Sequence, residues 1–555
     1  MEKSSPQSLF GADWRSISNL WRLIIIGCLV LGIALRFVNL EGKVYQHDET
    51  FTSLRISGYT EAQAVQNLSQ AGVVSLDDIK KYQQYNRETT VNDTIKGLAA
   101  EESQLTPLYF ILTRFWTGIF GDSIAAIRIL SVIGSILALP CMYWLCWELF
   151  KSASAGWLGM AILAISPFQI LYAQEARPYS LWAATLLLSS AALLRAARVQ
   201  TKVSWLIYTL TTVLNLYTCL FSIFIVIVHG LYILGIERFR PSRRMLSFAI
   251  TLGISLLAFL PWILILLSTT EQINHATRWT WTVNNALSLS DLYRQWMYYL
   301  SVGFVDTGGQ VFPTPLKYFF SLAYWVSRFL VVYGLYLLCR KKLWQAWLFV
   351  LLLILVPALG LILPDLIFGG TRFLVPRYMV PLFLGCQIAA TYVVARKLPG
   401  RGIKHRQQTV WQGITAIMLI AGILSCGLIV QSSTWWNKGI SNNNPAIAQI
   451  INQAKNPLVI SDTGLGDLLS LTHYLKPEVD LLVRPYCYTA CQVDPAYRAL
   501  ELSPYLPSIP SGYTDVFLFY ARPQPLWQKR LKEAKYYPLE VLAKKDEEWL
   551  WRVKQ

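Results

Sequence analysis

The sequence predicts an all-α polytopic membrane protein that ends in a small α/β domain. Three observations carry this reading. Of the 555 residues, 54% are hydrophobic and only 15% charged, against about 25% charged in an ordinary soluble domain. Apolar runs long enough to cross about 30 Å of hydrocarbon recur along the chain. From about residue 432 the pattern changes to short apolar segments among polar ones. Disorder is excluded by 21 Trp, 29 Tyr and 24 Phe.

Eleven spans are expected, at 21–40, 124–147, 154–173, 179–197, 204–218, 219–236, 246–268, 318–339, 344–363, 373–394 and 411–431. The first lacks a small-residue cleavage site and reads as an anchor that stays. The apolar run 204–236 is too long for one crossing and is divided near residue 218. The stretch 107–120 opens with proline and carries Arg114. It suits a juxtamembrane helix lying on the surface better than a span.

Charge then orients the chain. With the N-terminus cytoplasmic and 107–120 on the surface, five short loops fall on one side. They hold Lys151, Arg195, Arg198, Lys202, Arg238, Arg240, Arg243, Arg244, Arg340, Lys341, Lys342, Arg396, Lys397, Arg401, Lys404 and Arg406. The short loops opposite, 174–178 and 364–372, hold only Arg177 and Arg372 as cations. By the positive-inside rule the basic side is cytoplasmic. Segment 41–123, loop 269–317 and the tail are then extracytoplasmic, in a multi-pass protein of the plasma (inner) membrane. The net charge of +17 therefore reports topology, and nucleic acid is not an expected partner.

Two domains follow: a transmembrane domain, 1–431, with 41–123 as its first outer loop, and an extracytoplasmic α/β domain, 432–555. Strands are expected at 457–461, 480–483, 515–520 and 548–553, and helices at 445–455 and 524–534. Seven cysteines lie in or beside apolar runs and read as small buried hydrophobes. Cys487 and Cys491 form the single pair in a polar region, in a compartment that permits disulfides. Spacing alone does not fix their geometry. Gly464-Leu-Gly466 lacks a third glycine at nucleotide-binding spacing.

Ionisable groups at a membrane boundary are costly and therefore informative. Three sets stand out, and the topology puts all three on the outer side. His47-Asp48-Glu49 follows the first span. Adjacent carboxylates there can take a proton from a hydroxyl or hold a divalent cation; the plain alternative is a solvated loop start. Tyr172-Ala-Gln-Glu-Ala-Arg-Pro-Tyr179 places Glu175 and Arg177 in a tight turn between spans. The alternative is an interfacial ion pair with tyrosine anchors. Arg372 and Arg377-Tyr378 lie at the outer end of the tenth span. Arginine there can grip a lipid phosphate with its forked donors, or simply snorkel.

Taken in order, these residues resemble a family. The motifs are His47-Asp48-Glu49-Thr50; Leu105-Thr-Pro-Leu-Tyr-Phe110 leading to Phe120-Gly-Asp-Ser123; Arg128; Ser166-Pro-Phe-Gln-Ile-Leu-Tyr-Ala-Gln-Glu-Ala-Arg-Pro-Tyr-Ser180; and Pro376-Arg-Tyr378. Over about residues 20–395 the chain is similar to GT-C fold glycosyltransferases. Within them it is most similar to the bacterial branch of the dolichyl-phosphate-mannose protein mannosyltransferase superfamily, which includes the aminoarabinose transferases.

The resemblance implies transfer of a sugar from a polyprenyl phosphate to a hydroxyl of a lipid, glycan or protein, with inversion at the anomeric carbon. It makes Asp48 the base and gives Glu49 and Glu175 the shaping of the acceptor or metal site. Arg177 and Arg377 would steady the lipid phosphate, with Arg372 and Tyr378 beside them. His47, Tyr172 and Tyr179 are secondary, acceptor-side candidates. Asp48, Glu49 and Glu175 are the candidate ligands if magnesium or manganese takes part.

Two departures matter. Segment 60–104 is long and polar and reads as an insertion, and Thr106 stands where aminoarabinose transferases carry a phosphate-contacting lysine. The competing reading is a transporter or lipid flippase. It expects charges near the bilayer midplane and paired halves, yet His229 and Arg328 are the main polar intruders and no inverted repeat is evident. A third reading is a silent assembly protein that works through its tail.

Overall fold

The computed structural model describes residues 12–281, 288–341, 343–399, 405–487, 508–519, 527, 539–544 and 548–553. The chain divides into two compact units. A helical unit comprises 1–40, 128–263 and 279–432, and a mixed unit comprises 41–127, 264–278 and 433–555.

Among the described residues, eight helices are long and apolar enough to cross a membrane: Asn19–Phe37, Ile124–Phe150, Tyr179–Val199, Arg243–Ser268, Thr314–Arg340, Trp344–Phe368, Pro376–Lys397 and His405–Lys438. A ninth is a pair, Ala153–Ala164 and Pro167–Ala173, bent by 58°. Two further apolar helices, Lys202–Thr218 and Ser222–Ile236, have 17 and 15 residues. At 1.5 Å per residue they are about 26 and 22 Å long, short of a full hydrocarbon thickness. All eleven expected segments coincide with a helix or helix pair. The division of 204–236 falls at Cys219, whose backbone is extended. There the Ser222 hydroxyl donates to the Asn215 carbonyl at 2.6 Å.

The bend in 153–173 was not expected. Pro167 has no N–H to give to the Leu163 carbonyl, so the ladder fails there. Arg36 fills the gap. Its guanidinium donates to the Ala164 carbonyl at 2.6 Å and the Leu163 carbonyl at 3.3 Å, and to the Ser135 hydroxyl at 2.8 Å. Arg36 is fully buried and closes on its own helix through the Gly32 carbonyl at 2.6 Å. A side chain at Gly32 would lie 2.4 Å from the Ala164 oxygen, so glycine is what lets the two backbones meet.

The helix Leu108–Phe120 has 13 residues and two faces. Tyr109, Phe110, Thr113, Arg114 and Thr117 are buried, while Leu112, Phe115, Ile119 and Phe120 are exposed. Arg114 is spent on backbone carbonyls, those of Ile56, Asn86 and Thr89. A short helix with one apolar edge fits the surface role expected of it.

The mixed unit is built on a six-stranded sheet, β1 (Val73–Val74), β2 (Pro457–Ser461), β3 (Asp480–Val483), β4 (Asp515–Phe519), β5 (Leu539–Lys544) and β6 (Glu548–Val553). The strand order is β1-β3-β2-β4-β6-β5. β3, β2 and β4 run parallel, and the edges are antiparallel. The central strand β2 is buried along its whole length, as a strand covered on both faces should be. Four strands were expected; β1 and β5 were not.

β1 comes from segment 60–104, which the sequence assigns to the first loop of the transmembrane domain. Val73 and Val74 pair with Leu482 and Leu481 of the tail. One core joins Phe51, Leu54, Val65, Leu76, Ile447, Leu468, Leu481 and Phe517. Loop 41–127 and tail therefore fold as one unit. The helix expected at 524–534 lies outside the described residues except for Trp527, which packs with Leu458, Leu518 and Trp551. Cys487 is disulfide-bonded, and Cys491 lies outside the described residues.

Candidate active site

In the mixed unit, His47-Asp48-Glu49 forms the first turn of the helix His47–Ser57. Gln46 is the cap, and its N–H donates to the Glu49 carboxylate at 3.3 Å. Acidic groups at a helix N-terminus also meet the positive end of the backbone dipole. The solvated-loop alternative fails, because Glu49 is fully buried and Asp48 and His47 are half-buried.

Glu49 lies 2.5 Å from the Lys438 ammonium, with both side chains at 0% exposure. His47 Nδ1 lies 3.1 Å from the buried Asp467 carboxylate, and its backbone N–H donates to the Ser441 hydroxyl at 3.1 Å. A side chain at Gly466 would come within 2.6 Å of His47 Nδ1. The far end of the helix is fixed by Arg55, which pairs with Glu101 at 2.5 Å and Glu102 at 2.9 Å. Burial works against the Arg55 charge, yet Glu101, Glu102 and Glu61 raise its pKa above the usual arginine value.

In the helical unit, Glu175 and Arg177 occupy the turn between Pro167–Ala173 and Tyr179–Val199. They are 1% and 5% exposed. The turn is tied down on both sides. The Gln174 amide donates to the Val38 carbonyl at 2.7 Å and the Leu35 carbonyl at 3.1 Å, and Ser131 donates to the Arg177 carbonyl at 3.2 Å. Tyr172 and Tyr179 meet edge to face, their rings 5.2 Å apart.

Arg377 sits in the short turn Pro376–Met379 that opens the helix Val380–Lys397. Its guanidinium lies 5.6 Å from the Trp279 ring and 5.8 Å from that of Tyr378, within cation–π range. Tyr378 packs on Phe221 at 4.5 Å. Arg372 stands differently. It pairs with Asp365 at 2.6 Å and stacks 3.7 Å over Trp281. Gly370, at φ +136°, leaves room for this pair; a side chain there would meet Asp365 Oδ1 at 2.8 Å. Asp365 thus balances the Arg372 charge within the fold.

Sequence reasoning missed Lys438, Asp467, Asp365, Trp279 and Trp281. Lys438 and Asp467 lie 389 and 420 residues from their partners. The single local hint is Trp435-Trp436 just before Lys438. Among the described residues, no group of three or more His, Cys, Asp or Glu is placed to hold a metal ion. Glu49, a candidate ligand, already has an ammonium against its carboxylate.

No known family profile matches the chain, and no curated protein matches it in sequence. Solved structures do match. ArnT from Cupriavidus metallidurans bound to undecaprenyl phosphate superposes with a TM-score of 0.53 at 13% identity, covering 96% of this chain and 98% of that one. Its apo state gives 0.53 at 12%, covering 96% and 97%. The archaeal oligosaccharyltransferase AglB from Archaeoglobus fulgidus, in complex with an inhibitory peptide and a dolichol-phosphate, gives 0.50 at 12%, covering 94% and 71%. At these identities the likeness is one of architecture, and it settles that architecture: this multi-pass membrane protein has the GT-C fold.

Proposed function

We propose that the chain is a membrane glycosyltransferase that moves a sugar from a polyprenyl phosphate to a hydroxyl acceptor on the extracytoplasmic face, with inversion. One observation carries the reading: the chain shares its fold, over nearly its whole length, with a protein that binds undecaprenyl phosphate. The half-buried Asp48 at a capped helix start and the buried Glu175–Arg177 turn add to it. The comparisons lend nothing to the transporter reading.

In the proposed reaction the acceptor hydroxyl gives its proton to the Asp48 carboxylate. The acceptor oxygen forms a bond to the anomeric carbon as the bond from that carbon to the phosphate oxygen breaks. The electron pair stays on the phosphate, and Arg377 and Arg177 steady the added charge. Tyr378 and Trp279 hold the Arg377 guanidinium in place. Glu175 shapes the acceptor side, together with Tyr172 and Tyr179. Glu49 and His47 support Asp48 and take no proton. The proposed topology keeps the N-terminus cytoplasmic and the mixed unit extracytoplasmic, in the plasma (inner) membrane.

The test uses purified protein in lipid nanodiscs with a panel of polyprenyl-phosphate sugars and cell-envelope extracts as acceptors. The expected result is release of polyprenyl phosphate that depends on both donor and acceptor. Movement of the lipid-linked sugar across a vesicle bilayer, with no release, would establish the flippase reading instead.

A further inference from the structure

The tail holds the acidic turn at nearly every position around Asp48. The His47 backbone N–H donates to Ser441, and the His47 ring meets Asp467. The Glu49 carboxylate takes the Lys438 ammonium at 2.5 Å and the Gln46 N–H at 3.3 Å. Thr50 donates its hydroxyl to the Gly466 carbonyl at 3.1 Å. Two residues before His47, the Tyr45 carbonyl accepts from Ser470 at 2.6 Å, and the Tyr45 N–H donates to the Tyr474 hydroxyl at 2.8 Å.

We infer that Lys438 is a positioning residue that latches the turn bearing Asp48 through its buried ion pair with Glu49. The inference rests on the proposed role of Asp48 and extends it to the tail. Burial of a Lys–Glu pair is a poor source of stability, because desolvating both charges offsets their attraction, and well-packed apolar residues often do as well. What such a pair supplies is direction. A charge-assisted bond is short and geometrically demanding, and this one fixes the third helical residue while the Gln46 contact fixes the cap. Asp48 lies between them. Lys438 also balances the Glu49 charge next to Asp48, so two adjacent carboxylates do not repel one another. Ser441, Gly466, Asp467 and Ser470 of the tail hold the same turn from the other side of the latch.

Three variants test the latch: Lys438→Met, Lys438→Arg, and Lys438→Met combined with Glu49→Gln. The readouts are kcat and KM for the polyprenyl-phosphate sugar, the melting temperature, and amide hydrogen exchange in residues 46–53. Lys438→Met is expected to lower kcat about 10²-fold, the scale of a small misplacement of a reacting group, with KM changed less than about twofold. Exchange at 47–50 should rise. Lys438→Arg should recover most of kcat. The double variant, which buries no lone charge, should regain the melting temperature but keep the kcat defect. Recovery of kcat together with stability in the double variant would make Lys438 a structural residue only and overturn the inference. So would wild-type kcat in Lys438→Met. If the unmodified protein transfers no sugar, the transferase reading has failed; the exchange data then decide the latch alone, and unchanged protection at 47–50 would refute it.

Discussion

Arg372 and Arg377 are five residues apart, in two short turns ahead of the helix Val380–Lys397, and their surroundings differ. Arg372 is balanced by Asp365 at 2.6 Å and braced on Trp281, so its charge is committed within the fold. Arg377 lies within cation–π range of Trp279 and Tyr378, whose rings orient its guanidinium. Arg377→Ala is expected to cut kcat for sugar transfer by about 10²–10³-fold, the scale of losing one preorganised electrostatic contact. Arg377→Lys should recover only part of this, since an ammonium lacks the planar fork. Steady-state kinetics with the lipid-linked donor check both. In sequence the two arginines read alike, because Asp365 and the two tryptophans beside them lie outside the motif.

At the scale of elements, the break in 153–173 shows how a local rule and a distant residue cooperate. Pro167 was visible in the sequence and Arg36 was visible within the first span, but nothing local joins them. Arginine inside an apolar helix is costly unless it is satisfied, and four hydrogen bonds to Ser135, Gly32, Ala164 and Leu163 satisfy it. Arg36→Leu removes those donors and leaves buried carbonyls at the bend. It is expected to destabilise the protein by about 1–3 kcal/mol, read as a lower melting temperature in detergent with unchanged insertion. The broad hydropathy pattern was sufficient to place all eleven helical segments, since span length is set by the bilayer. The strands β2, β3, β4 and β6 were also legible from their apolar runs. β1 was not, because two valines carry no period and become a strand only by pairing with Leu481 and Leu482. β5 escaped as well, since its alternation of apolar and charged residues stands among similar polar sequence.

At the scale of the whole molecule, the fold was legible because a chain with so many apolar runs and so few charges has few other ways to satisfy its backbone in lipid. The motif order then pointed to GT-C proteins, and the superposition on ArnT over 96% of the chain agrees in architecture. The proposed site residues Asp48, Glu175, Arg177 and Arg377 come from the sequence, through their position at the expected membrane boundaries. The rest depends on contacts across hundreds of residues. Lys438 beside Glu49 and the tail residues on the acidic turn could not be read from the local sequence. In the proposed function Asp48 is the proton acceptor and its neighbours are supports. The most direct test is the single-turnover rate of sugar transfer by Asp48→Asn in nanodiscs, with folding verified by its melting temperature. Loss of transfer by about 10²–10⁴-fold, the usual share of a general base, is the predicted result. A folded Asp48→Asn protein that transfers sugar at close to the normal rate would contradict it.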